Sequence, residues 1–122
     1  CELGQIVKSL IFKLRKSEKA LIVLACGSNR TDEKKLRELI GEKLGKADAE
    51  FAREQTGYAI GGVPPFGHTS DLEIYMDRDL FQHELLWAAA GTPNSVFPIS
   101  PRELERVSQA KVADIKVEVE DE

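Results

Sequence analysis

The chain predicts an α+β fold: a mixed, largely antiparallel sheet curled toward a barrel, with flanking helices. Strand-like segments outnumber helical ones, and polar or Gly/Pro-rich turns separate them without a βαβ rhythm or an internal repeat. A length of 122 residues suits one domain with a single core, and 42% hydrophobic with 31% charged residues is the balance of a soluble globular protein.

Ile6 to Leu14 alternates. Ile6, Leu10, Phe12 and Leu14 share one strand face with Lys8, while Val7, Ser9, Ile11 and Lys13 take the other. A lysine on that face either snorkels outward or points its ammonium into a cleft. Arg15 to Lys19 is a polar turn. Ala20 to Cys26 is continuously apolar, the pattern of a strand covered on both faces. After the Gly27-Ser28-Asn29-Arg30 loop, Thr31 or Asp32 caps a helix whose apolar stripe is Leu36, Leu39, Ile40 and Leu44, with Gly45 as its stop.

A second short helix spans Asp48 to Gln55. Asp71 to Asp77 alternates again, with Leu72, Ile74 and Met76 inward. Leu85 to Ala90 is an apolar strand that resumes at Val96 to Ile99. Ser100-Pro101-Arg102-Glu103 is a helix start with the residues of a capping box. Lys111 to Val119 reads as a last strand before an acidic tail.

Two loops stand out chemically. Thr56 to His68 holds four glycines and two adjacent prolines, which rules out a regular helix or strand and makes a rigid, sharply bent loop. Gly91-Thr92-Pro93-Asn94-Ser95 has a similar character. Together they predict one pocket built from backbone and not from a single reactive side chain.

Composition excludes several classes. No apolar run approaches the roughly 20 residues of a membrane helix, and no signal-peptide pattern is present, so the expected compartment is cytoplasmic. Two cysteines and two scattered histidines, His68 and His83, give neither a disulfide framework nor zinc spacing. A net charge of −4 argues against gripping nucleic acid over a large surface, but not against taking only its end.

The order Lys8-Ser9-Leu10-Ile11-Phe12, then Thr56-Gly57-Tyr58-Ala59-Ile60-Gly61-Gly62-Val63-Pro64-Pro65-Phe66-Gly67, then Trp87-Ala88-Ala89-Ala90-Gly91-Thr92-Pro93-Asn94, then Ser100-Pro101-Arg102-Glu103-Leu104 resembles the YbaK-type, prolyl-tRNA synthetase-associated editing domains. The match runs through essentially the whole chain, and the T-G-Y-x-x-G-G-x-x-P-x-G loop is its most specific part. Family members are usually longer at the N-terminus by a hairpin and a helix. The resemblance therefore implies one editing domain over residues 1–122 that lacks this element, with Cys1-Glu2-Leu3-Gly4 as the end of the helix.

What the resemblance implies is hydrolysis, without metal or cofactor, of the ester joining a wrong amino acid to the 3′ end of a tRNA, typically that for proline. Prolyl-tRNA synthetase is the implied protein partner. The family's pocket lysine maps onto Lys8. Its Gly-rich loop maps onto Gly61 and Gly62, with Val63, Pro64 and His68 beside them, and its second substrate loop onto Gly91, Thr92, Pro93 and Asn94. Several members carry a histidine where this chain has Asn94, so histidine-dependent substrate selection lacks its residue here.

The chemistry asks little of the protein, because an aminoacyl ester is already activated. Backbone N–H groups at Gly61-Gly62 or Gly91 would form an oxyanion-type site, worth about 3 kcal/mol per donor. Lys8 would hold a phosphate or ribose oxygen as a compact charge, and a substrate hydroxyl or the bound amino acid would assist the attack.

Plainer readings stand beside each of these. Lys8 is then a snorkelling strand residue, the Gly/Pro loop a sheet corner, and Gly91 to Asn94 a turn. Cys26 reads as core, and Arg15, Lys16, Lys19, Arg30, Lys34 and Lys35 as solvated charges or acceptor-stem contacts. Two other function classes remain: a non-catalytic module that binds tRNA ends or a synthetase, and a small-nucleotide binder.

Overall fold

The computed structural model describes residues 3–59, 63–65, 72–91 and 95–117. A five-stranded sheet runs in the order β3-β1-β2-β4-β7, and a separate hairpin joins β5 to β6. The strands are β1 (Val7–Leu14), β2 (Ala20–Cys26), β3 (Leu44–Lys46), β4 (Glu73–Asp77), β5 (Leu86–Ala89), β6 (Val96–Ile99) and β7 (Lys111–Ala113). The helices are α1 (Glu33–Ile40), α2 (Ala49–Thr56) and α3 (Pro101–Ser108).

β2 explains the layering. All seven of its residues are buried, and its alternation divides them between two cores. Ile22, Leu24 and Cys26 meet Leu86, Ala88 and Leu104 on one face. Leu21, Val23 and Ala25 meet Phe12, Leu14, Leu36 and Ile115 on the other. Each buried Leu, Ile or Val contributes about 1.5–3 kcal/mol, so this strand sandwiched on both sides is the centre of stability. α1 therefore covers one face of the sheet, while α3 and the β5–β6 hairpin cover the other.

The expected α+β class holds, and so does the mixed sheet: β1 pairs antiparallel with β2 and β3, whereas β2–β4 and β4–β7 are parallel. Parallel neighbours need crossovers, and these carry α1, β3 and α2 between β2 and β4, then β5, β6 and α3 between β4 and β7. The expected curl toward a barrel does not hold. β3 is at one edge and β7 at the other, so the ends of the sheet never meet.

Other boundaries shift for local reasons. The first helix stops at Ile40, because Gly41 at φ 85° supplies the left-handed cap. Leu44 and Gly45 then belong to an edge strand, and Leu39 lies 49% exposed. Asp32 is the cap, accepting from the Lys34 and Lys35 N–H groups. Ser100 caps α3 through the Glu103 N–H, while the Glu103 carboxylate turns to Arg106 instead of closing the box. The last strand ends at Ala113. Beyond it Asp32 N–H donates to Ile115 O and Val117 N–H to Arg30 O, so residues 115–117 bind the loop before α1. Among the described residues no helix is long and apolar enough to cross a membrane.

Candidate functional site

Lys8 stands where the sheet edge is open. β3 pairs only with Phe12 to Leu14 of β1, and an isolated bridge joins Ile6 to Trp87. Between them Lys8 to Ile11 have no strand on their outer side among the described residues. A cleft of about 370 Å³ occupies this gap, walled by β1, the Asn29–Thr31 loop, Glu33, and Lys46 with Ala47. The Lys8 side chain is exposed on the same face as Leu10, Phe12 and Leu14. Its ammonium lies 3.5 Å from the Asn29 carbonyl. Ser9 Oγ is buried in the same wall and has no hydrogen-bond partner among the described residues.

The opposing wall is held firmly. Asn29 Nδ2 donates to Asp77 Oδ2 at 3.0 Å and Asp79 Oδ2 at 2.9 Å. Asp77 is 2% exposed and also accepts from the Asp79 N–H. Lys116 Nζ donates to Asp79 Oδ2 at 2.8 Å. This ammonium, helped by Asn29, outweighs burial and holds the Asp79 carboxyl below the usual carboxylate range. The loop facing Lys8 is thus fixed by side chains as well as by its bonds to residues 115–117.

The T-G-Y start of the glycine loop has a structural meaning. Thr56, fully buried at the end of α2, donates to Ala52 O at 2.7 Å and accepts from the Tyr58 N–H at 3.0 Å. Gly57 at φ 85° turns the chain out of the helix. Tyr58 then lies against Gly91, where an added Cβ would sit 3.5 Å from the tyrosine ring. Gly91 itself has φ 100°, a backbone angle that favours glycine. Val63 is 1% exposed in the core beside Leu86 and Ala88, and Pro64 is buried too.

The structure therefore brings Gly91 and the entry to the Gly/Pro loop together. Lys8 sits in a cleft whose described lining contains neither Gly91, Val63 nor Pro64. Gly61, Gly62, His68, Thr92, Pro93 and Asn94 lie outside the described residues. Cys26 is a buried free thiol beside Gly4 O and Ser28 Oγ, as a core reading expects. No group of three or more metal-ligating side chains occurs among the described residues.

The loop residues Asn29, Arg30 and Thr31 entered the sequence reading only as a turn, a solvated charge and a possible cap. Local sequence held no signal for them: the β1–β2 register sets Val7 opposite Cys26 and carries the next residue past Ile6, and it is the distant Asp77 and Asp79 that hold Asn29 in the loop facing Lys8.

The open-edged mixed sheet thus carries the exposed Lys8 over a wall fixed by side chains, and in a separate contact it brings the turn at Gly57-Tyr58 against Gly91. Residues 1–107 match the family model described as an aminoacyl-tRNA editing domain, and the chain belongs to that family. A crystal structure of a protein proposed to be a trans-editing enzyme for prolyl tRNA synthetase superposes with a TM-score of 0.92 at 47% identity, covering 97% of this chain and 74% of that one. The uncharacterized protein YwhH of Bacillus subtilis (strain 168) is 36% identical over 110 residues, 90% of this chain and 69% of YwhH. A proline–tRNA ligase of Bacillus cereus (strain G9842) is 30% identical over 78 residues, 63% of this chain but 13% of the ligase.

Proposed function

We propose that this chain is a single editing domain that hydrolyses mischarged aminoacyl-tRNA in trans, releasing a small wrong amino acid from the tRNA for proline. Membership of the editing-domain family supports the substrate class. The observation that carries the reading is Lys8: an exposed ammonium without a carboxylate partner among the described residues, over a rigid wall, in a cleft large enough for a nucleotide end.

In this reading Lys8 fixes a terminal phosphate or ribose oxygen. Gly61-Gly62 and Gly91 supply backbone donors to the developing oxyanion, and Thr92, Pro93, Asn94, Val63, Pro64 and His68 shape the amino-acid pocket. Positioning an activated ester beside water accounts for most of the rate, and the substrate's own hydroxyl or amine helps to activate the attack. The reaction calls for no metal or cofactor, and its setting is the cytoplasm.

The test is a panel of aminoacylated tRNAs incubated with the wild-type chain and with Lys8→Ala. Release of amino acid by the wild type and a loss of about 10²-fold or more in the variant are expected, by analogy with removal of a key electrostatic group. Retention of tRNA on a gel without any release would favour a non-catalytic tRNA-end binder instead.

A further inference from the structure

The chain has a net charge of −4, yet seven of its cations outside the ion pairs gather in two clefts, with Lys13, Lys16, Lys19, Arg53 and Arg102 outside them. The Lys8 cleft contains Lys8, Arg30 and Lys46. A second cleft of about 490 Å³ contains Arg15, Lys34, Arg37 and Lys43. Glu33 borders both clefts and is the one carboxylate in either. None of these seven cations is in an ion pair among the described residues. Lys35, Arg78, Arg106, Lys111 and Lys116 all are.

The two clefts share Glu33, and β3 lends Leu44 to one and Lys46 to the other. β3 runs antiparallel to the last part of β1, with Phe12 opposite Lys46 and Leu14 opposite Leu44. The Lys8 cleft is therefore at one end of the β1–β3 edge, the Arg15–Lys43 cleft at the other, and the N-terminal half of α1 beside both. From Lys8 to Arg15 is seven strand residues, about 23 Å at ~3.3 Å each. Arg15 is also seated: its guanidinium lies across Gly45, where an added Cβ would come within 2.7 Å of Nη2. The missing side chain in β3 makes room for the cation.

Resting on the reading above, we infer that this groove is the track for the RNA strand leading to the reactive 3′ end. Its phosphates would run past Arg15, Lys34, Arg37 and Lys43 before the terminal nucleotide reaches Lys8. A strand of exposed, unpaired cations with one acid suits a polyanion, and the length suits a few nucleotides of single strand.

The probe is an unacylated RNA hairpin carrying a tRNA acceptor stem and its single-stranded 3′ end, followed by fluorescence anisotropy at several salt concentrations. Lys34→Glu with Arg37→Glu should weaken binding by about tenfold or more and flatten the log K against log salt slope by about 1.4, two contacts at ~0.7 each. Lys34→Gln with Arg37→Gln, which spares α1 the added repulsion, should show a smaller shift in the same direction. Arg102→Glu with Arg106→Glu makes the same charge change on α3, across the sheet, and should leave binding within about twofold.

An aminoacyl-adenosine ester is too short to reach the groove, so every variant should cleave it at the wild-type rate. Unchanged RNA binding in the α1 variants, or an equal loss in the α3 variant, overturns the groove even if deacylation stands. Groove-dependent RNA binding with no ester cleavage by the wild type would keep the groove and remove the hydrolytic reading.

Discussion

The Asn29 loop has a lysine on each of its polar connections, and the two are built differently. Lys116 lies 2.8 Å from Asp79, with both side chains largely covered, and Asp79 in turn accepts from the Asn29 amide. Lys8 is exposed and reaches only the Asn29 carbonyl, at 3.5 Å, longer than a good N–H···O bond. One cation is committed to the frame; the other sits on the frame without being part of it. An ammonium without a close carboxylate has no ion pair to break before it meets an anionic ligand, whereas freeing Lys116 would take from the half-buried Asp79 its charged partner. Position in the hydrogen-bond network, not residue type, separates the two roles.

The strongest way to break this contrast is to remove the acid that anchors it. Asp77→Ala leaves the half-buried Asp79 N–H without its acceptor and takes one of the two acceptors from Asn29 Nδ2. It should cost about 2–3 kcal/mol in urea unfolding. A loss below about 0.5 kcal/mol would mean that the loop is held by its backbone bonds to residues 115–117 alone.

A milder comparison sets the lysines against each other. Lys116→Met should cost about 1–2 kcal/mol, because Asp79 loses its charged partner. Lys8→Met should fall within about 0.5 kcal/mol of wild type, since the ammonium is exposed and weakly bonded. Equal costs for the two would erase the distinction drawn above.

Much of the frame was legible in the residues. Strict alternation in β1 placed Lys8 on the Leu10, Phe12 and Leu14 face, and the unbroken apolar run of β2 announced a strand covered twice. Ser100-Pro101 marked the start of α3. Pairing order was not legible, since an apolar strand looks the same beside a parallel or an antiparallel neighbour, so β2–β4 and β4–β7 could not be told apart from the antiparallel pairs. Leu44 misled because its spacing from Ile40 suits a helix, and only the left-handed turn at Gly41 decides that the helix has already ended. At the site, composition singled out the glycine turns and Lys8. Asn29 and Lys116 were hidden because their importance comes from partners 37 to 50 residues away in sequence, Asp77 and Asp79 for Asn29 and Asp79 for Lys116.

The subtlest test is acid titration of the Asp79–Lys116 contact. Asp79 has its carboxyl held below its ordinary value of 3.8, chiefly by the Lys116 hydrogen bond. A carboxylate depressed in the folded state stabilises at pH values above its unfolded pKa, and that contribution fades as pH falls through the folded value. The urea-midpoint gap between wild type and Asp79→Asn should therefore stay constant from about pH 7 to about pH 5 and narrow below about pH 4. In the Lys116→Met background the gap should narrow less, because the largest cause of the depression is gone and the folded value lies closer to the unfolded one. A gap that stays flat down to about pH 2.5 would show that the contact does not depend on an ionised Asp79. Lys116 would then be no more committed to the frame than Lys8.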